Sequence, residues 1–166
     1  GGGGRGCAGK RRLLAFLLLL LFSPAAFAQS CPQGEKRFPA FYPGPEPFLD
    51  AIAREEAYPP STVRLSGITV PHHLVAGHLI ARGFRAASGF SYDRVIVFTP
   101  DHFSRLGNAA FATTRSGFDT VLGPVETDSE AVEALLAGGA VESCLFAADH
   151  GLLALLPFLR HTFPQA

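Results

Sequence analysis

The chain has 166 residues, and its 14 basic and 14 acidic side chains cancel to a formal charge of zero. With no Lys/Arg-rich stretch beyond the first dozen residues, it lacks the basic patches that phosphate binding needs, which excludes nucleic acid as a partner. There is no methionine, not even at position 1, and the last helical pattern is followed by three residues and no strand. The expectation is a fragment that lacks the C-terminal part of its domain.

Residues 1–28 read as a signal peptide. Lys10-Arg11-Arg12 form a positive n-region, residues 13–22 are apolar with five consecutive leucines, and Ala26-Phe27-Ala28 is a small-x-small cleavage site. The apolar run is well short of the roughly 20 residues that a spanning helix needs. Export to the periplasm or the extracellular space is expected, with no membrane attachment after cleavage. Cleavage would remove Arg5, Lys10, Arg11 and Arg12 and no acid, leaving 10 basic against 14 acidic side chains, a net −4. Cys31 and Cys144 then remain. Outside the cytoplasm they could pair, but one lies in a terminal tail and the other between periodic segments. Without CxxC spacing they make no zinc site, and the favoured reading of each is a tail or buried thiol.

Residues 29–60 are rich in proline and aromatics, as in Phe38-Pro39-Ala40-Phe41-Tyr42-Pro43-Gly44-Pro45. Fixed φ angles and missing donors predict an extended lead-in there. A short helix follows over 47–57, with Pro at its start and Phe48, Ile52 and Ala53 on one face. Residues 63–70 alternate and then turn continuously apolar, the pattern of a strand entering a buried sheet. Residues 74–87 suit an amphipathic helix ended by Gly89. Residues 94–99, Arg-Val-Ile-Val-Phe-Thr, have the near-continuous apolar character of a central strand. Strand, helix and strand together predict a βαβ unit with a parallel pair.

Downstream, 108–113 reads as a third strand and 115–125 as a glycine-punctuated hairpin or loop. A helix opens at Thr127-Asp128-Ser129-Glu130 and stops at Gly138-Gly139. A short strand over 141–146 and a helix over 152–163 complete the pattern. The fold class this predicts is α/β, a three-layer sandwich with a mixed, largely parallel central sheet flanked by helices, the domain being incomplete. The expected organisation is 1–28 signal peptide, 29–60 lead-in and 61–166 the α/β domain.

The histidines carry the chemical signal. His72 and His73 directly follow the first predicted strand in Val70-Pro71-His72-His73, and His102 lies three residues past the second in Thr99-Pro100-Asp101-His102. His150 occupies a pre-helix turn beside Asp149. Ligands of open α/β sheets bind outside the carboxyl ends of strands, so these residues would face one crevice. A metal-binding imidazole must be neutral, and a helix N-terminus disfavours its protonated form. His72, His102 and His150 are therefore the candidates. His73 stays open between a second ligand and a turn residue, while His78 and His161 lie within helices and read as structural. Asp101 and Asp149 are candidate acceptors that would set an imidazole tautomer. No nucleophile elbow or phosphate-cradling glycine loop is present. Asp119, Glu126 and Asp128 could form a carboxylate cluster, but a solvated hairpin and a helix cap explain them more cheaply, and Arg105 reads as a surface residue in preference to one that meets an anionic substrate.

The order of motifs resembles the Memo-like family, also named AmmeMemoRadiSam system protein B. It runs Phe41-Tyr42-Pro43, Val70-Pro71-His72, Thr99-Pro100-Asp101-His102, Leu122-Gly123-Pro124-Val125, then Asp149-His150-Gly151 leading into Leu156-Pro157-Phe158-Leu159. The chain departs from the pattern at His73, where the family usually has Ala, and at Phe103, where it usually has a second His. It departs again at Asp149-His150-Gly151, usually Glu-His-Ser. The resemblance implies a fold like that of class III extradiol dioxygenases, with a non-haem iron or a copper site at the strand ends. It makes His72 and His102 metal ligands and His150, with Asp149, catalytic, the third ligand lying in a C-terminal half. The function expected is an exported metal-binding protein, oxidoreductase in class, acting on a small-molecule substrate. The competing reading is a non-catalytic binding or scaffold module.

Overall fold

A computed structural model describes residues 1–2 and 37–165, and everything below concerns the unit Cys31–Ala166. The signal peptide, the first part of the lead-in, and Cys31 lie outside the described residues. Among the described residues no helix is long and apolar enough to cross a membrane.

The elements in chain order are β1 (Arg37–Phe38), α1 (Glu46–Glu55), α2 (Gly77–Ala87), β2 (Ala112–Thr113), β3 (Gly117–Phe118), α3 (Ser129–Ala137), β4 (Val141–Glu142), α4 (His150–Leu153) and α5 (Leu156–Thr162). The architecture is α/β, with helices and two small parallel sheets. β1 pairs with β3 so that Arg37 faces Gly117 and Phe38 faces Phe118. β2 pairs with β4, Ala112 opposite Val141 and Thr113 opposite Glu142.

Local chemistry accounts for most of the helix boundaries. Pro45 precedes α1, and Pro47 sits in its first turn, where a missing N–H costs nothing. Asp128 caps α3 by accepting from the Ala131 N–H at 3.0 Å, and Gly139 beyond its end adopts φ +99°. The predicted helix over 74–87 forms as a 3-10 turn, Leu74–Ala76, running into α2. The predicted helix over 152–163 is instead two helices, α4 and α5. Pro157 is the reason, because it has no N–H to offer the preceding turn. The hairpin over 115–125 closes through two 2.8 Å backbone bonds between Phe118 and Val125, around a turn joining Thr120 and Gly123.

The core joins α1, α2, α4 and α5. Phe48, Ile80, Pro157 and Phe158 are fully buried, with Phe48 and Phe84 ring centroids 5.3 and 6.3 Å from Phe158. At its edge Arg82 forks onto the buried Glu55 carboxylate, its Nε donating at 2.7 Å and a terminal nitrogen at 3.3 Å.

The strand assignments at 63–70 and 94–99 are corrected. Among the described residues neither segment joins a ladder, so the predicted βαβ unit is absent as a hydrogen-bonded pair. Nor is 94–99 covered on both faces: Ile96 is 62% and Phe98 77% exposed. Apolar character records the surroundings a strand suits, whereas a ladder also needs a neighbouring backbone in register. The predicted strands at 108–113 and 141–146 shrink to two residues each, and Leu145–Ala147 forms a 3-10 turn.

Side chains and α2 hold the 61–70 segment instead. The Ser61 N–H donates to the Ala86 carbonyl at 2.9 Å, and Tyr92 Oη donates to the Leu65 carbonyl at 2.9 Å. A Cβ on Gly83 would lie 2.3 Å from Val70 Cγ1, so α2 approaches the segment as closely as only glycine permits. This contact sets the position of the Pro71-His72-His73 turn. Cys144 is disulfide-bonded, which corrects its reading as a free thiol. The other two cysteines of the sequence, Cys7 and Cys31, are outside the described residues.

Candidate metal centre

Three loop segments converge on one cluster of imidazoles. The first is the turn into the 3-10 helix, where His73 is extended at φ −111° and ψ 129° and its carbonyl accepts from the Ala76 N–H at 2.9 Å. The second is the loop after residue 99. There Asp101 accepts from the backbone N–H groups of Phe103 at 3.2 Å and Leu106 at 2.8 Å. Ser104 in that loop adopts φ 51°, an unfavourable angle for a residue with a Cβ. The third is the start of α4, where Asp149 is the N-cap and accepts from the Gly151 N–H at 2.9 Å.

His102 lies at the centre. Its Nδ1 is 2.9 Å from Asp149 Oδ1, and its Nε2 is 2.9 Å from His72 Nε2. A carboxylate only accepts hydrogen bonds, so Nδ1 carries the proton and the Nε2 lone pair faces His72. Asp149 is 2% exposed and also receives the His102 backbone N–H at 3.4 Å. Thus one buried carboxylate orients the ring, fixes its tautomer and caps a helix. Asp101, the other predicted acceptor, spends its oxygens on backbone N–H groups two and five residues on in its own loop rather than on an imidazole.

The remaining imidazoles close around this pair. Ring centroids of His72 and His73 are 4.4 Å apart, those of His102 and His150 4.3 Å, and those of His73 and His150 4.9 Å. Burial holds His72 below the usual imidazole pKa; His73, His102 and His150 push the same way, and Asp149 opposes them. The ring is therefore kept neutral, the state that ligation needs. Ligand atoms of His72, His73 and His102 all lie within 4.8 Å of one another, as do those of His102, Asp149 and His150. Neutral imidazole nitrogens with a carboxylate behind one of them fit a first-row transition ion, and two nitrogens on one such ion sit about 3 Å apart.

The structure therefore brings His72, His102, His150 and Asp149 together, and adds His73, which the sequence left open. His78 lies in α2 and His161 in α5, outside the cluster. A cavity of about 590 Å³, lined by Glu55, Arg85, Phe158 and His161 among others, is separate from these imidazoles. Arg105 lies over the Phe103 ring at 4.8 Å, and Phe103 reaches His150 at 6.3 Å, so the 102–106 loop forms one wall of the cluster. Sequence reasoning missed Gly151. A Cβ there would lie 2.6 Å from His102 Cε1, so the imidazole rests directly on the helix backbone. The available signal was a glycine in the turn that leads into the last predicted helix, directly after His150, where a missing side chain can mark a close approach.

No curated protein and no solved structure matches the chain. A family model described as Memo-like protein matches residues 42–166, a span that includes every member of the imidazole cluster and Asp149. The chain belongs to the Memo-like family.

Proposed function

We propose that this Memo-like protein holds a redox-active transition ion, iron or copper, at the imidazole cluster, with His72 and His102 as ligands. The carrying observation is the 2.9 Å approach of His72 Nε2 to His102 Nε2 while Asp149 engages the opposite nitrogen of His102. Such an ion supplies one-electron chemistry or Lewis acidity toward a small-molecule substrate, which makes oxidoreductase the class we favour. Asp149 maintains the proton on His102 Nδ1, and His150, 4.3 Å from His102 by ring centroid, is placed to exchange a proton with a bound substrate. The test is metal analysis of the purified protein. Wild type should carry metal, and His72→Ala and His102→Ala should lose it; full metal content in both variants would overturn the assignment.

Export is part of the same proposal. The n-region, apolar run and Ala26-Phe27-Ala28 site support it, as does the disulfide at Cys144, since such bonds persist in oxidising compartments. Fractionation should recover a mature protein starting near Gln29 outside the cytoplasm. Full-length protein confined to the cytoplasm would sink this part.

A further inference from the structure

We propose that His73 is a third histidine ligand, so that His72, His73 and His102 form a three-histidine centre. The inference rests on the reading that the cluster holds a metal ion. The ligand atoms of these three residues lie within 4.8 Å of one another, and the His73 centroid is 4.4 Å from His72 and 6.0 Å from His102. Adjacent residues in extended backbone send their side chains to opposite sides. Here the turn into the 3-10 helix brings the two rings to the same side. Among the described residues no hydrogen bond engages either ring nitrogen of His73, although its backbone carbonyl is bonded to Ala76. The ring is exposed, so both nitrogens have access to solvent and to an incoming ion.

The alternative set, His102 with Asp149 and His150, is less suited. Asp149 Oδ1 already accepts from His102 Nδ1 and from the Gly151 N–H, and the carboxylate is buried behind the ring. Coordination by Asp149 would compete with the bonds that orient His102 and cap α4. His102 presents Nε2 toward His72, on the side where His73 also lies. His150 is then a neighbour of the ion rather than its ligand. Three neutral imidazoles leave the charge of a divalent ion uncancelled at its first shell, so the open positions favour a small anionic oxygen or nitrogen ligand.

The test uses Co²⁺ as the probe on the full-length, metal-stripped protein, with affinity read by chelator competition and coordination by visible absorption. His73→Ala should weaken Co²⁺ binding at least about tenfold, no less than the loss of an outer-shell partner costs, and should change the absorption band. A circular dichroism spectrum matching wild type serves as the folding control, since His73 is at the surface. Wild-type affinity and an unchanged band in His73→Ala, with loss in His72→Ala and His102→Ala, would overturn the three-histidine centre and leave the metal site standing. A tenfold loss in His150→Ala but not in His73→Ala would assign the third position to His150. Failure of the wild type to bind Co²⁺, Fe²⁺ or Cu²⁺ would remove the metal reading itself, and this inference with it.

Discussion

Replacing Asp149 separates the stabilising role of one carboxylate from its effect on the metal site. Asp149→Ala removes the cap of α4, worth about 1 kcal/mol. It also leaves the His102 Nδ1–H without its acceptor, at a further cost of about 1–3 kcal/mol. The Gly151 N–H and the His102 ring both bond the carboxylate at 2.9 Å and it is 2% exposed, so water cannot readily replace it. The expected loss is about 2–4 kcal/mol, a fall in Tm of about 6–12 °C for a domain of this size. Asp149→Asn behaves differently, because asparagine caps helices as well as aspartate and its carbonyl still accepts. Its Tm should stay within about 2 °C of wild type. Its metal affinity should fall about ten- to hundredfold, since the neutral amide no longer strengthens His102 as a donor. Calorimetry on metal-free protein and chelator competition on loaded protein read the two effects separately. A metal-free Asp149→Ala as stable as wild type would refute the capping and burial reasoning. An Asp149→Asn with unchanged affinity would refute the role in orienting and polarising His102.

Gly151→Ala should displace the His102 ring, because the added Cβ would lie 2.6 Å from His102 Cε1; metal affinity should drop while metal-free Tm changes little, and an unchanged affinity would show that the ring has room. Phe158→Ala should cost about 3–5 kcal/mol by urea denaturation, since it empties a fully buried site shared with Phe48 and Phe84; a cost under about 1 kcal/mol would contradict the packing. The Arg82 hydrogen bond holds the Glu55 carboxyl below its ordinary range, with burial opposing. A carboxyl lowered in the folded state contributes stability that is present above its unfolded value of about 4.3 and is lost as pH falls through the lower folded value. Glu55→Gln should therefore be less stable than wild type at pH 7, and the gap should narrow as pH falls below about 4.3. A gap constant over that fall would count against the pair.

Much of this protein is legible in its residues, but not uniformly. The helix starts at Pro45-Glu46-Pro47, at Asp128 and after His73 follow from cap chemistry and apolar period, which act over one or two turns. The histidines were singled out by their place after apolar runs and before helices, and the structure gathers those same residues. Family membership was readable as well, because the short motifs fall in order across the span that the family model matches.

Tertiary structure decided what depends on partners distant in the chain. The 63–70 and 94–99 segments have strand composition but no ladder, since a strand needs a second backbone in register and composition cannot supply one. Choosing Asp149 over Asp101 as the histidine's acceptor required a contact across 47 residues, while Asp101 spends its oxygens on its own loop. The same holds for Gly151, whose missing side chain makes room for a ring from another loop. His73 shows the division most plainly. The sequence made it an imidazole beside another imidazole, and only the turn of the backbone into the 3-10 helix brings both rings to one face of the cluster.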